Sequence, residues 1–154
     1  MVNLKEQSIE KLTKLDFKCT CGYRHTVSID NIRIGSGVLQ ELPEILGQYK
    51  GKKLLVVADK NTFKVAGQQV IDLLSNEFVF NIFIYQDDHL VADANSLGTF
   101  LMELDDDISL ILTIGSGTLN DITRYVSART KIPYAIVTTA PSMDGYTSIV
   151  SPLI

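Results

Sequence analysis

The stretch Ser109-Leu110-Ile111-Leu112-Thr113-Ile114-Gly115-Ser116-Gly117-Thr118-Leu119-Asn120-Asp121 decides the fold. Its first six residues form an apolar run without strand-like alternation, which reads as a strand buried on both faces, and such strands belong to parallel sheets covered by helices. The glycine pair marks a tight strand-to-helix turn, and Ile122, Tyr125 and Val126 set the apolar spacing of the helix it opens. The same grammar recurs toward the N-terminus. Val79 to Tyr85 predicts a strand followed by a helix from Asp93 to Leu104, and Lys53 to Ala58 a strand that ends at Asp59 before a helix from Thr62 to Leu74. A short strand, Ile32 to Ile34, leads through Gly35-Ser36-Gly37 into a helix with Leu39, Leu42, Ile45 and Leu46 on one face, closed by Gly47 to Gly51. Toward the C-terminus, a strand from Tyr134 to Val137 runs into Thr138-Thr139-Ala140-Pro141. Strands separated by helices require crossovers, so residues 32–154 are predicted to be a Rossmann-like α/β domain with a mostly parallel sheet flanked by helices on both sides.

Residues 1–31 stand outside this plan as an N-terminal extension. Leu4, Ile9, Leu12 and Leu15 suit a short helix from Leu4 to Leu15, and Phe17 to Ile29 alternates on either side of Gly22-Tyr23, which predicts a β-hairpin. No repeat of fixed period and no low-complexity tract interrupts the chain.

The 154 residues are 45% hydrophobic and 21% charged, the balance of a soluble globular chain whose core needs no disulfide or structural metal. A net charge of −4, from 14 basic and 18 acidic residues with the basic ones scattered, argues against nucleic-acid binding. The longest apolar runs are strand-sized, and Met1 to Gln7 has no export-signal character, so no membrane span is expected and the chain is expected to be cytoplasmic. Cys19 and Cys21 should then be thiols. The apolar end Ser151-Pro152-Leu153-Ile154 leads us to expect that the 154 residues belong to a longer polypeptide.

In an open parallel sheet, ligands bind beyond the carboxyl ends of the strands. Gly115-Ser116-Gly117 lies at one such end. Its glycines would permit positive φ and close backbone approach, the amides of the following helix would face outward, and Ser116 and Thr118 add hydroxyl donors, an arrangement suited to phosphate. The full dinucleotide fingerprint is absent, since its third glycine position falls on Asn120. Asp59 could accept hydrogen bonds from a ribose or, equally, cap the next helix. Asp121 could be a favourable charge in a first helical turn. Asp144, in Pro141-Ser142-Met143-Asp144-Gly145-Tyr146-Thr147-Ser148, reads by local mechanics as a turn residue. Gln86-Asp87-Asp88-His89 is a solvated loop, and Asp105-Asp106-Asp107 is a set of repelling carboxylates unless a cation joins them. Cys19, Cys21 and His25 supply three soft or borderline metal ligands within seven residues. A closed zinc site needs four, and the alternative is a hairpin carrying half-buried thiols.

Taken together, Gly115 to Asp121 and Thr138 to Ser148 resemble the corresponding loops of the sn-glycerol-1-phosphate dehydrogenases. These are relatives of the iron-containing alcohol dehydrogenases, glycerol dehydrogenases and dehydroquinate synthases. The resemblance runs from about Cys19 to the C-terminus and includes the Cys-x-Cys-Gly-x-x-His hairpin. It implies an NAD or NADP cofactor whose pyrophosphate rests on Gly115, Ser116, Gly117, Thr118, Leu119, Asn120 and Asp121, with Asp59 facing the adenosine ribose. Thr138, Thr139 and Ser148 would line the nicotinamide side, and Asp144 would contact a polyol phosphate substrate. Asp59 leans toward NAD, a preference blunted by Lys60 and Lys64. The resemblance further implies a divalent metal, zinc, nickel or iron, held by an acid and two histidines in a helical C-terminal domain outside these residues; His25 and His89 do not match those ligands. The chain by itself would then bind nucleotide weakly at best and would not turn over, and homo-oligomer formation stays open. Alternative readings are a domain of an unphosphorylated-polyol dehydrogenase or of a dehydroquinate-synthase-like enzyme, and a non-catalytic metal or redox module built on Cys19, Cys21 and His25.

Overall fold

A computed structural model describes residues 7–143, 145–148 and 150–154. The chain divides into two compact units, Met1–Val38 and Leu39–Ile154.

In the first unit the expected N-terminal helix shortens to a single turn, α1 (Ile9–Leu12), and its proposed first residue, Leu4, lies outside the described residues. The hairpin is present as β1 (Asp16–Lys18) and β2 (Arg24–Thr26), antiparallel, with Phe17 opposite His25. The turn falls two residues earlier than Gly22-Tyr23 would place its centre. Gly22 N donates to the Cys19 carbonyl at 3.1 Å and Cys19 N to the Tyr23 carbonyl at 2.8 Å, with Gly22 at φ +90°, a conformation that glycine adopts without strain. The expected strand at Ile32 to Ile34 does not form. No described residue offers it a ladder partner, and Ile34 is 77% exposed.

The second unit opens with α2 (Leu42–Ile45), one α-helical turn between 3-10 turns at Val38–Glu41 and Gly47–Tyr49. The continuous helix expected there is broken because Pro43, in the first turn of α2, has no amide to donate back into an earlier one. Then come β3 (Lys53–Asp59), α3 (Lys60–Thr62) continuing through a π-turn at Phe63–Gly67 into α4 (Gln68–Leu74), and β4 (Val79–Tyr85). They are followed by α5 (Ala94–Met102), β5 (Ile108–Gly115), α6 (Gly117–Thr130) and β6 (Tyr134–Thr138). The four strands form one parallel sheet in the order β4-β3-β5-β6. This is the Rossmann-like plan, with one parallel strand fewer than expected.

The unbroken apolar runs are explained by alternate residues entering two cores. Leu54, Val56, Ala58, Leu110, Leu112 and Ile114 pack with Leu42, Leu46, Val70 and Leu74 on one face of the sheet. Leu55, Val57 and Ile111 pack with Phe100, Leu119, Ile122 and Val126 on the other. Each such side chain contributes about 1.5–3 kcal/mol on leaving water. Burial on both faces holds for the central strands β3 and β5 only. The edge strand β4 leaves Val79 and Ile82 exposed, and β6 is half-buried up to Val137 and exposed at Thr138.

Candidate functional site

β3 and β5 are neighbours with Ala58 level with Ile114, so Asp59 and Gly115 leave the sheet side by side. The chain then departs in opposite directions, into α3 and α4 on the face of Val70 and Leu74 and into α6 on the face of Leu119 and Ile122. A parallel sheet opens a crevice at such a reversal of strand order, beyond the carboxyl ends. β6 ends beside it, with Thr138 level with Gly115 and Thr139 N donating to the Gly115 carbonyl at 3.0 Å.

Asp59 does cap the following helix. Its Oδ1 accepts from Asn61 N and Thr62 N, each at 2.8 Å, while Asp59 N donates to Thr62 Oγ1 at 3.0 Å, a reciprocal capping box. Oδ2 accepts no hydrogen bond from a described residue, so the cap leaves one oxygen for a ligand.

At the start of α6, Ser116 is the N-cap with extended backbone and no side-chain capping bond. The amides of Gly117, Thr118 and Leu119 have no acceptor within the helix, and with the helix dipole they form a positive terminus suited to anionic oxygen. Ser116 and Thr118 are half-buried and their hydroxyls pair with no described residue. Neither Gly115 nor Gly117 has positive φ, contrary to expectation; both are glycines for lack of space. A Cβ on Gly115 would lie 2.5 Å from Leu119 Cδ1, and one on Gly117 would run into Met143 Sδ. The Met143 side chain therefore lies over the start of α6, in the room a bound phosphate would need. A flexible thioether can leave that room, so the residues present fit a nucleotide pyrophosphate once Met143 swings aside.

Two residues of the glycine loop face inward. Asp121 is buried and paired with Arg124 Nη1 at 3.0 Å; burial pushes its carboxyl above the ordinary value despite the guanidinium. Asn120 is fully buried, and neither its Oδ1 nor its Nδ2 has a partner among the described residues. Of the loop after β6, Ser148 is exposed and bonded only locally, its Oγ donating to the Val150 carbonyl at 3.2 Å, while Asp144 lies outside the described residues. Tyr146 OH donates to the Ala140 carbonyl at 2.6 Å and folds that loop on itself.

Sequence reasoning passed over Arg124 and Met143. The acid-to-base spacing of three between Asp121 and Arg124 on one helix was the available signal for Arg124; Met143 left none. His89 is exposed as expected. The acidic run is joined by a cation: Lys53 Nζ bonds Asp105 at 2.7 Å and Asp107 at 3.0 Å. That contact is at the start of β3, the opposite end of the strand from Asp59. No acid-and-two-histidine set converges among the described residues, so no step through such a metal is assigned to them.

In the first unit, considered separately, the ligand atoms of Cys19, Cys21 and His25 all lie within 4.8 Å of one another. Both thiols belong to the hairpin turn. Hydrogen bonds from the Cys21 amide and thiol hold the Cys19 thiol below its usual range.

A sequence model of the family described as iron-containing alcohol dehydrogenase matches residues 33–154. Among curated proteins, the chain is similar to glycerol-1-phosphate dehydrogenase [NAD(P)+] of Geobacillus thermodenitrificans, 34% identical over 96% of the chain and 38% of that protein. It is 33% identical to the Geobacillus stearothermophilus protein of the same name, over the same shares. The chain thus spans less than half the length of these relatives. Among solved structures, glycerol dehydrogenase of Schizosaccharomyces pombe superposes with a TM-score of 0.60 at 20% identity, covering 70% of this chain and 27% of that one, a likeness of fold. With the family model covering all of the parallel-sheet unit, the chain belongs to the iron-containing alcohol dehydrogenase family.

Proposed function

We propose that the sheet-bearing unit is the NAD(P)-binding part of a dehydrogenase that interconverts dihydroxyacetone phosphate and sn-glycerol 1-phosphate. The observation that carries the reading is the departure of Asp59 and Gly115, side by side, from neighbouring strands into helices on opposite faces. The free amides of Gly117, Thr118 and Leu119 and the hydroxyls of Ser116 and Thr118 would hold the pyrophosphate, with Asp59 Oδ2 on the adenosine ribose. Thr138, Thr139 and Ser148 would border the nicotinamide, and Asp144 the substrate. The bound cofactor would supply the hydride acceptor. This chain's residues bind and orient it.

The substrate assignment rests on the relatives' name and on the resemblance of the two loops. A polyol phosphate is the proposed small-molecule partner, and residues 32–154 are the proposed dinucleotide-binding domain. No helix among the described residues is long and apolar enough to cross a membrane, and the free thiols of Cys19 and Cys21 suit the reducing cytoplasm we propose as its location.

NADH titration tests the reading. The chain has no tryptophan, so NADH emission reports on the nucleotide with little protein background. Saturable enhancement is expected, and Gly117→Asp, which places a carboxylate against the pyrophosphate, should weaken it about tenfold or more. Absence of saturable binding to the wild-type chain, or an unchanged affinity in the variant, would overturn the assignment.

A further inference from the structure

The β1-β2 hairpin has little of its own to hold it. Each strand is three residues long, only Phe17 among the six residues is even partly buried, and β2 is exposed at every position. An isolated two-stranded hairpin of this kind is marginal in water. Its one strong polar tie, the bidentate pair of Arg24 with Asp16 at 2.6 and 2.7 Å, is solvent-exposed and worth little.

At the closed end of the same hairpin three metal-ligating side chains converge. The turn from Cys19 to Gly22 folds the two thiols to the same side. His25, opposite Phe17 in the ladder and with its ring 5.6 Å from the Phe17 ring, brings Nε2 to 3.1 Å from Cys21 Sγ. All three ligand atoms fall within 4.8 Å of one another. Around a tetrahedral zinc ion with bonds of about 2.3 Å to sulfur and 2.0 Å to nitrogen, ligand atoms stand about 3.5–3.8 Å apart, so small side-chain rotations centre the three on one ion.

We propose that Cys19 Sγ, Cys21 Sγ and His25 Nε2 form a zinc-class site that staples the hairpin, with a solvent-accessible fourth position filled by water. Two thiolates and a neutral imidazole match a borderline-soft divalent ion, and carboxylate-seeking hard cations such as magnesium are excluded by the donor set. Binding discharges the two thiol protons to solvent and leaves the Zn(Cys)2(His) unit formally neutral. The three ligands all belong to the first unit, and none of them is among the residues proposed to hold the nucleotide. Its consequence is order in a hairpin that buries almost nothing, because metal affinity is folding free energy where a site forms only on folding.

The test uses the whole 154-residue chain, without a histidine tag, kept reduced by a phosphine. Purified protein should carry about one zinc per chain, and cobalt titrated into the metal-stripped protein should give a thiolate-to-cobalt charge-transfer band with the intense visible absorption of tetrahedral coordination. Cys21→Ser and His25→Asn should each lower zinc content below about a tenth per chain while the far-ultraviolet dichroism of the α/β unit is unchanged. The proposal is overturned if the reduced wild-type chain gives no charge-transfer band, or if both variants retain zinc at the wild-type level. The cobalt spectrum is read on the wild type, so it decides the matter even where a variant fails to fold.

Discussion

Arg124 Nη1 stands 3.0 Å from Asp121 Oδ1 in the interior of the sheet-bearing unit, with 8% and 10% of the two side chains exposed. The same guanidinium donates to the Val150 carbonyl at 2.6 Å through Nη1 and to the Gly145 carbonyl at 2.6 Å through Nη2. One side chain thus fastens the segment after β6 to the helix after β5, which keeps the two proposed ligand-binding loops together. Replacing Arg124 by Met strands a buried carboxylate and two carbonyls, and should cost about 3–5 kcal/mol. Arg124→Lys should recover only part, because a single ammonium cannot reproduce the planar fork. Urea denaturation gives the stability, and proteolysis within residues 140–150 reports the loosened segment. A Met variant with the wild-type midpoint would contradict the role.

Two carboxylates, Asp121 and Asp105, should titrate with opposite effects on stability. Burial raises Asp121 above its ordinary 3.8, so the folded state holds that proton more tightly. Its contribution is full below 3.8 and declines as pH rises through the raised value. Asp105 is lowered from 3.8 by the Lys53 ammonium bonded to it, so its contribution is present above 3.8 and is lost as pH falls. Measured as urea midpoints across this range, the wild-type advantage over Asp105→Asn should shrink on acidification. The advantage over Asp121→Asn should instead grow. Parallel trends for the two variants would refute the assignment.

What could be read from the chain depended on whether a feature was local. β3 and β5 were legible to within a residue because their central positions are buried on one face or the other, which leaves an almost unbroken apolar run. Ile32 to Ile34, two isoleucines around Arg33, failed, since a strand needs a partner and three residues do not reveal its absence. The helix over Leu39 to Leu46 failed on Pro43, a local sign that was present and outweighed by the apolar spacing. At the site, Asp59 and the glycine pair were legible from their place after strands. The tie from Arg124 to the segment after β6 was not, because its acceptors there are backbone carbonyls 21 and 26 residues away, and a carbonyl carries no sequence signature. The convergence of Cys19 and Cys21 likewise depends on the turn geometry, which alternation alone placed too late.

The two glycines of the loop should respond unequally to alanine. At Gly115 the new Cβ meets Leu119, whose own Cβ would be 2.7 Å away and whose side chain is fully buried. Nothing there can move cheaply, and the overpacking should cost about 1–3 kcal/mol. At Gly117 the obstacle is the outer part of the Met143 side chain, which can rotate. Gly117→Ala should therefore cost less stability than Gly115→Ala, by comparison of urea midpoints. Met143→Ala should tighten NADH, since it clears the room over α6 in advance of binding. Weaker NADH binding by Met143→Ala would mean that the thioether supports the nucleotide instead of yielding to it.

Asn120 is the most exact test of whether the first turns of α6 are shaped for stability. It is fully buried, and both its amide oxygen and its amide nitrogen lack partners among the described residues, on a helix whose neighbours Leu119 and Ile122 belong to the apolar core. An unsatisfied buried polar group costs about 1–3 kcal/mol, whereas an apolar group of similar shape carries no such cost. Asn120→Leu, which keeps the branching and the number of heavy atoms, should accordingly raise the urea midpoint, and Asn120→Asp, which adds a charge to the same place, should lower it sharply. The first variant also separates two roles for the residue. If stability rises and NADH affinity is unchanged, the amide contributes to neither folding nor nucleotide binding. If stability rises while NADH affinity falls, the amide is held unsatisfied for the bound state, and the cost in the folded chain is the price of a preorganised site. A lower midpoint in Asn120→Leu would refute the claim that the amide is unsatisfied.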